Sequence, residues 1–380
     1  MIRTLLSGLC LLAAPALSQL DTVGVQIPGE EEGLTYELVN DLLRYGEQVP
    51  RPRTPGAVRL ATYNVENLFD DIDDPELTGR GDDADMLKPM SHRHAAARAI
   101  RAIDADVLTL QEIESESVLR WFRDEFLADM GYEHIASIDA GDGRGIEQAV
   151  LSRYPITQTQ NWPGKPLGGV HPEKYGNNDN WHAGEPLEFR RSPLLVEVEV
   201  PADAREQEAE AGSDSESYRV SLLIVHHKSG RHAGYWREAE AKGLLAITQE
   251  LMAEQPGRNL AILGDFNARP NEDSVRTYTD NGFIDVFGSP SPRNRKVATH
   301  VSGRRIDLIL VNEALRDEIV PESAWVMATV ADELNARRGA PPPPGWASDH
   351  YPVVVDLVPR EGAGAAGNES GGAGDSLTEP

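Results

Sequence analysis

With 380 residues, 62 acidic against 36 basic side chains and a formal charge of −26, the chain is long enough for one large or two ordinary domains. It is too acidic to hold nucleic acid indiscriminately through phosphate neutralisation over its whole surface. The single cysteine, Cys10, excludes a disulfide framework, and no stretch approaches the roughly 18 apolar residues a membrane-spanning helix requires, so no stable membrane insertion is expected.

Taken from the start, residues 1–18 carry Arg3, an apolar run from Leu5 to Leu17 and a small-x-small ending at Ala16-Leu17-Ser18. This pattern predicts a secretory signal peptide and hence a secreted or periplasmic protein. Cys10 lies inside it, preceded by Leu9 where a lipoprotein would carry a small residue. Residues 19–56 read as an extension and linker: Leu34, Leu38, Val39, Leu42 and Leu43 recur at helical spacing, and Arg51-Pro52-Arg53-Thr54-Pro55-Gly56 follows as linker. Residues 57–359 carry every motif below and are expected to form one domain, monomeric. Residues 360–380, rich in Gly, Ala and acids, are expected to be disordered. The charge is unevenly spread. Residues 30–47, 70–85, 201–219 and 361–380 hold 24 acids against four arginines and read as solvated segments. Arg190, Arg191, His226, Lys228, Arg231, His232, Arg293, Arg295, Lys296, Arg304 and Arg305 instead cluster in or beside the apolar runs, where an anion would be welcome.

Within the domain, Leu60 to Asn64 reads as a first strand. Ser91 is the expected N-cap of a helix through Ile103 with Ala96, Ala99, Ile100 and Ile103 facing inward. Val107 to Glu112 follows as a second strand, so that strand, helix and strand make a βαβ-like unit. A further strand is expected around Ala149–Ile156. Residues 157–188, rich in Gly and Pro and carrying Trp162, His171, Tyr175, Trp181 and His182, read as a long loop. Those aromatics are candidates for a substrate wall, with simple surface packing as the alternative. Phe189 to Val198 returns to a strand. Leu222 to Ser229 ends another in His226-His227-Lys228, where alternation puts His226 with Leu222 and Ile224 and turns His227 away. Leu244, Ile247 and Leu251 mark the buried face of the next helix.

The run Asn259-Leu260-Ala261-Ile262-Leu263-Gly264-Asp265-Phe266-Asn267 is continuously apolar until it breaks into an acid, an aromatic and an amide. It reads as a strand buried on both faces whose carboxyl end carries Asp265 and Asn267, the end where open α/β architectures place ligands. Asp307 interrupts the apolar Arg305–Leu310 run, where a lone carboxylate is costly and demands a partner. Ala347-Ser348-Asp349-His350-Tyr351-Pro352 supplies an acid and a histidine near the end of the domain.

In this order and company, Asn64-Val65-Glu66-Asn67, Gln111-Glu112, His226-His227-Lys228-Ser229, Gly264-Asp265-Phe266-Asn267, Arg305-Ile306-Asp307 and Ser348-Asp349-His350 resemble the endonuclease/exonuclease/phosphatase superfamily, over roughly Ala57 to Pro359. That group includes deoxyribonuclease I, apurinic endonucleases, bacterial sphingomyelinases and inositol polyphosphate 5-phosphatases. The resemblance implies an α/β fold, a four-layer α/β/β/α sandwich of two packed mixed sheets. It also implies a Mg²⁺-dependent phosphoesterase, with Mn²⁺ or Ca²⁺ as alternatives. Glu112, with Asn64 and Asp349, would serve the metal. Asp265, His350, His226, Asn267, Asp307 and Arg191 would be catalytic, and Asn267, His226, Arg191 and His350 would contact the phosphate. Asp307 would orient and charge His350, as the acid of a triad fixes its histidine. The expected substrate is a phosphodiester, foremost nucleic acid cut by an extracellular or periplasmic endonuclease. Phosphomonoesters and a lipid headgroup diester are the alternatives within the fold, and a catalytically silent binding module is the alternative outside enzymology.

Overall fold

Alternation along the strands decides the architecture. In strand β1 (Val58–Leu68), Val58 and Leu60 face one apolar layer while Ala61, Tyr63 and Val65 face another. The computed structural model describes residues 45–72, 87–201, 218–290, 294–329 and 345–360. The expected signal peptide, the helix at 34–43, most of the acidic segments, Arg293 and the tail after 360 lie outside the described residues.

After β1 come helix α1 (Met90–Ile103), β2 (Val107–Ile113), α2 (Glu116–Phe126), β3 (His134–Ser137) and β4 (Glu147–Ser152). Five strands follow: β5 (Ile156–Asn161), β6 (Pro166–Val170), β7 (Lys174–Tyr175), β8 (Asn178–Asp179) and β9 (Pro186–Glu188). Next are β10 (Leu194–Val200), β11 (Tyr218–His226), α3 (Gly234–Glu254), β12 (Leu260–Asp265), α4 (Asp273–Thr279) and β13 (Ile284–Asp285). The chain closes with β14 (Asp307–Val311), α5 (Glu313–Arg316), β15 (Trp325–Val326) and β16 (Val353–Leu357). The strands make two six-stranded mixed sheets, ordered β15-β16-β1-β2-β4-β3 and β13-β14-β12-β11-β10-β5.

Three apolar layers hold this together. Leu60, Val107, Val150, Val353 and Val355 of the first sheet meet Val196, Leu222, Ile224, Ala261, Leu263 and Ile309 of the second, which defines the sheet-on-sheet core. The outer face of the first sheet packs on α1 and α2 through Tyr63, Leu108, Leu110, Ile100, Ile103, Leu119 and Phe122. The outer face of the second packs on α3 and α4 through Leu223, Ile262, Leu308, Leu244, Ile247, Leu251 and Tyr278. Burying each such side chain stabilises the fold by about 1.5–3 kcal/mol before conformational entropy is charged against it. The result is the expected α/β/β/α sandwich.

Each sheet contains one parallel βαβ unit. β1 and β2 run parallel around α1, and β11 and β12 run parallel around α3. The carboxyl ends of these four strands carry Asn64, Glu112, His226 and Asp265. Strands β14 and β16 run antiparallel to β12 and β1, so their amino ends, with Asp307 and the 348–350 segment, return to the same edge.

Some expectations are corrected. Helix α1 begins at Met90 after Pro89, with no side-chain cap; Ser91 sits inside its first turn. A proline there gives up no needed donor, because the first helical N–H groups lack partners anyway. Ala96, Ala99, Ile100 and Ile103 do form its buried stripe. The segment expected as a free linker is pinned down: Arg53 pairs with Asp106 and Thr54 Oγ1 donates to Asp356 Oδ2 at 2.8 Å. Residues 157–188 are not a structureless loop. β5 joins the second sheet, β6 pairs with β9, and β7 with β8.

Candidate active site

At the end of β1, Asn64 turns inward and is almost wholly buried. Its Oδ1 accepts the Glu66 N–H at 3.0 Å, which fixes the amide so that Nδ2 points at carboxylates. Nδ2 lies 3.3 Å from Glu112 Oε1 and 3.3 Å from Asp265 Oδ2, one acid from each sheet. Placed so, the Asn64 amide bridges the two acids. Glu66, Asn67 and Glu112 all hold left-handed backbone, φ 54°, 52° and 65°. Such strain in side-chain-bearing residues persists where the surroundings enforce it, commonly at functional sites. Here it breaks the β1–β2 ladder between Asn64 and Leu68 and brings the Asn67 N–H to Glu112 Oε2 at 3.2 Å.

Across the mouth, Asp265 is buried, its neighbour Gly264 adopting φ 134°, where an added Cβ would lie 2.1 Å from the Val225 carbonyl oxygen. Only glycine permits that approach. Asp265 Oδ1 accepts the Asn267 N–H at 2.8 Å. The Asn267 Nδ2 donates to Asp265 Oδ2 and to the His227 carbonyl, both at 3.1 Å. Both amide hydrogens of Asn267 are thereby engaged, and the side chain holds Asp265 in place. Burial, with Asp307 and Glu112 adding to it against the opposing pull of His350, raises the Asp265 carboxyl to about 7.

Asp307 has the partner its burial demanded. His350 Nδ1 lies 2.9 Å from Asp307 Oδ2 and 3.0 Å from Oδ1, while Nε2 faces Asp265 Oδ2 at 3.7 Å. Burial disfavours a charged imidazole, but Asp307, Asp265 and Asp349 outweigh it and hold His350 well above the usual histidine range. Ser348 Oγ donates to the Asn64 carbonyl at 2.7 Å and accepts the His350 N–H at 3.0 Å, stitching this segment to β1. Burial raises Asp349, yet His350 and His300 pull it to about 2. His300 Nδ1 accepts the Ser302 N–H at 2.9 Å, so its Nε2, 3.4 Å from Asp349 Oδ2, is the one that carries hydrogen.

His226 stands between the sheets, its Nε2 3.7 Å from Glu112 Oε1 and 3.6 Å from Asp265 Oδ2. Burial, then Arg191 and Arg144, push it well below the usual range, so it is neutral. His227 points the other way, as alternation predicts, 3.0 Å from the Tyr278 hydroxyl and 3.4 Å from Glu240. Arg191 is held by Asp142 through Nε at 2.7 Å, leaving Nη1 buried and without a partner.

Several participants carried no clear signal in the sequence. Arg144, in the Gly141-Asp142-Gly143-Arg144-Gly145 turn, donates to Asn67 Oδ1 and lies 3.3 Å from Glu112 Oε2. Its glycine-rich neighbours were the only hint. Glu66 accepts the Trp346 indole N–H and the Asp349 N–H. Buried Lys88 donates to the Glu66 carbonyl at 2.8 Å. Burial and then Asp349 raise Glu66 to about 7. Glu66, Glu112, Asp265 and Asp349 all offer hard oxygen donors in this region. That set fits a divalent cation such as Mg²⁺ or Ca²⁺ better than a thiophilic ion. Two groups of ligand atoms, His300/Asp349/His350 and Asp265/Asp307/His350, each lie within 4.8 Å of one another.

The profile of the Endonuclease/Exonuclease/phosphatase family matches residues 61–350, a span enclosing every residue from Asn64 to His350 described above. The chain belongs to this family. Members of the endonuclease/exonuclease/phosphatase family are phosphoester hydrolases. Similar solved structures include the human Nocturnin catalytic domain, at 15% identity over 80% of this chain and 95% of that one, TM-score 0.48. Truncated Caenorhabditis elegans TDP2 is similar at 16% identity, covering 79% and 97%, TM-score 0.47. A mannosyl-6-phosphatase from Bacteroides thetaiotaomicron is similar at 17% identity, covering 79% and 99%, TM-score 0.46. Comparison with curated proteins finds no match.

Proposed function

We propose that this endonuclease/exonuclease/phosphatase family member is an exported, Mg²⁺-dependent phosphodiesterase acting on nucleic acid as an endonuclease. The observation that carries the hydrolytic reading is His350, set between Asp307 on one ring nitrogen and Asp265 on the other. A buried carboxylate raised towards neutrality beside a buried imidazolium is suited to proton transfer and phosphate binding in phosphoester hydrolysis. Residues 1–18, with their signal-peptide pattern, support export, and Mn²⁺ or Ca²⁺ are the alternative ions.

Phosphoryl transfer needs positioning and stabilisation of charge on the phosphate oxygens. In the proposed reaction, Asp265 takes a proton from the attacking water as the water oxygen bonds to phosphorus, and the ester oxygen on the opposite side leaves with the bonding pair and takes up a proton from solvent. Asn64 and Asn267 fix the orientation of that carboxylate. Protonated His350, neutral His226 through Nε2–H, and Arg191 through its free Nη1 donate to phosphate oxygens. Glu112 and Asp349 would hold the cation, which when bound would neutralise phosphate charge. Asp307, 2.9 Å from His350 Nδ1, keeps His350 charged and in place.

The test is hydrolysis of plasmid DNA, a small chromogenic diester and a phosphomonoester by the protein lacking residues 1–18, with Mg²⁺ and with chelator. Metal-dependent DNA and diester cleavage, lost in Asp265→Asn, is the expected result. Monoester turnover alone would reassign the chain to the phosphatases. Silence on all three would leave lipid headgroups or a binding role.

A further inference from the structure

Trp181 is 95% exposed, an unusual position for the largest apolar side chain. The turn that displays it is built with care. Asn180 is buried; its Oδ1 accepts the His182 N–H at 3.1 Å, and its Nδ2 donates to the Tyr235 hydroxyl at 3.1 Å. The Ala183 N–H closes the turn onto the Asn180 carbonyl at 3.0 Å, and the Asn180 N–H bonds the Glu173 carbonyl at 2.9 Å. An asparagine that closes its own turn and ties it to a helix leaves the intervening residue little freedom.

The β6–β9 insertion that carries this turn is fixed to the body beside the active site. Leu167 fills the space at Gly243 of α3, where an added Cβ would come within 2.3 Å of it. Leu187 packs with Trp236 and Ala239, and the Trp236 indole N–H donates to the Glu188 carbonyl at 2.7 Å. From the site outward the steps are short. Lys228, two residues past His226, places Nζ 5.8 Å from the Trp236 ring centre. The Trp236 ring lies 5.9 Å from that of His182, the neighbour of Trp181. The insertion also leads, after β9, directly into Arg190 and Arg191. Lys228 Nζ, which donates to the Ser229 carbonyl at 2.7 Å, and Arg190, paired with Asp142 at 2.6 Å, are the cations at the root of this insertion.

We propose that Trp181 is a stacking platform for an unpaired nucleobase of the substrate strand, the backbone of which follows the Arg190–Lys228 rim into the site. The proposal rests on the phosphodiesterase reading above and deepens it by naming single-stranded nucleic acid as the preferred form. An exposed indole on a backbone turn held in place, near cations that can follow a phosphate backbone, is an arrangement that binds single strands without reading sequence. A lipid surface fits less well: Val170 of the same insertion is also exposed, but the segment carrying Trp181 holds the polar Glu173, Lys174, His182 and Glu185 and not a broad apolar face.

The experiment pairs binding with turnover. Fluorescence anisotropy of a labelled single-stranded oligonucleotide in Ca²⁺ should show Trp181→Ala binding about 5- to 150-fold more weakly than wild type, the range expected from loss of one base–aromatic stack. Trp181→Phe should recover part of the loss. KM for oligonucleotide cleavage should rise with kcat held, while small-diester kinetics and melting temperature stay unchanged. Equal binding by Trp181→Ala and wild type overturns the platform, whether or not the wild type cleaves. Weakened binding in a protein that cleaves no nucleic acid would uphold the platform and overturn only the endonuclease reading. Failure of the wild type to bind any oligonucleotide, or sedimentation of the wild type but not Trp181→Ala with phosphatidylcholine–sphingomyelin vesicles, would overturn the proposal in favour of another partner.

Discussion

Asp265 and Asp307 are register partners across the antiparallel β12–β14 pair, and both carboxylates are buried. Two acids so placed repel each other unless a cation or a proton separates them. His350 supplies the cation for Asp307, and Asp265, pushed up to about 7, is left as the group that exchanges a proton near neutrality. The fold thereby sorts two acids of the same chemistry into different parts by giving one a close partner and the other a distant one.

Replacing Asp265 by Asn should remove the proton acceptor while keeping its shape and the N–H contact from Asn267. We expect kcat to fall by about 10²–10⁴-fold, the usual contribution of a general base. Melting temperature should shift little, since removing a buried ionisable group offsets the amide hydrogens then set against Asn64 and Asn267 Nδ2. Steady-state kinetics with calorimetric melting checks both. Wild-type turnover in this variant would remove Asp265 from the mechanism.

His350→Ala should cost activity and stability together, since it strands Asp307 in the interior. Breaking a buried charge pair by deleting one member costs on the order of 3–5 kcal/mol. Adding Asp307→Asn to His350→Ala should restore a good part of that stability without restoring activity. Denaturant unfolding of the two single variants and the double variant gives the coupling directly. Additive losses would mean that the 2.9 Å contact does not support the fold.

The strand-end residues were legible in the sequence because each pairs an apolar run of strand length with an abrupt polar break. Asp307 was legible because a carboxylate inside Ile306–Val311 has to be explained. Alternation also separated His226 from His227. What escaped had no such pattern. Arg144 reaches Glu112 from a glycine-rich turn 32 residues away, and Lys88 reaches Glu66 across 22 residues. Nothing in local periodicity announces contacts of that kind. The strands within 157–188 were missed because they are short, rich in Gly and Pro, and exposed on much of their surface, so neither alternation nor an apolar run marks them. Which way the Asn64 and Asn267 amides face was not legible either, because only the surrounding donors and acceptors determine that.

A cation held by Glu112, as proposed above, would compete with Arg144 for that carboxylate. The Arg144 guanidinium lies 3.3 Å from Glu112 Oε2 and is partly exposed, so it can withdraw. Arg144→Ala should tighten Mg²⁺ or Mn²⁺ binding by a few-fold, roughly 2- to 5-fold, in keeping with the small strength of a solvent-accessible ion pair. Titration calorimetry on the unmodified and variant proteins measures this without reference to turnover. Weaker metal binding in the variant would show instead that Arg144 holds Glu112 in its ligating position.

Glu147, at the start of β4, offers a stability readout away from the reaction. Burial raises its carboxyl to about 7, against the opposing hydrogen bond from Ser137. The folded state therefore keeps a proton that the unfolded chain releases near the ordinary value of 4.5. Between those two values the folded state binds more protons, so stability falls as pH rises from about 4.5 to about 7, and above that the loss is complete. Glu147→Gln keeps an oxygen for the Ser137 hydroxyl and cannot ionise. It should match wild type in denaturant unfolding at pH 4.5 and exceed it by about 2–3 kcal/mol at pH 8, since one unit of pKa is worth ~1.4 kcal/mol. A difference between the two proteins that does not change with pH would show that Glu147 ionises normally in the folded state.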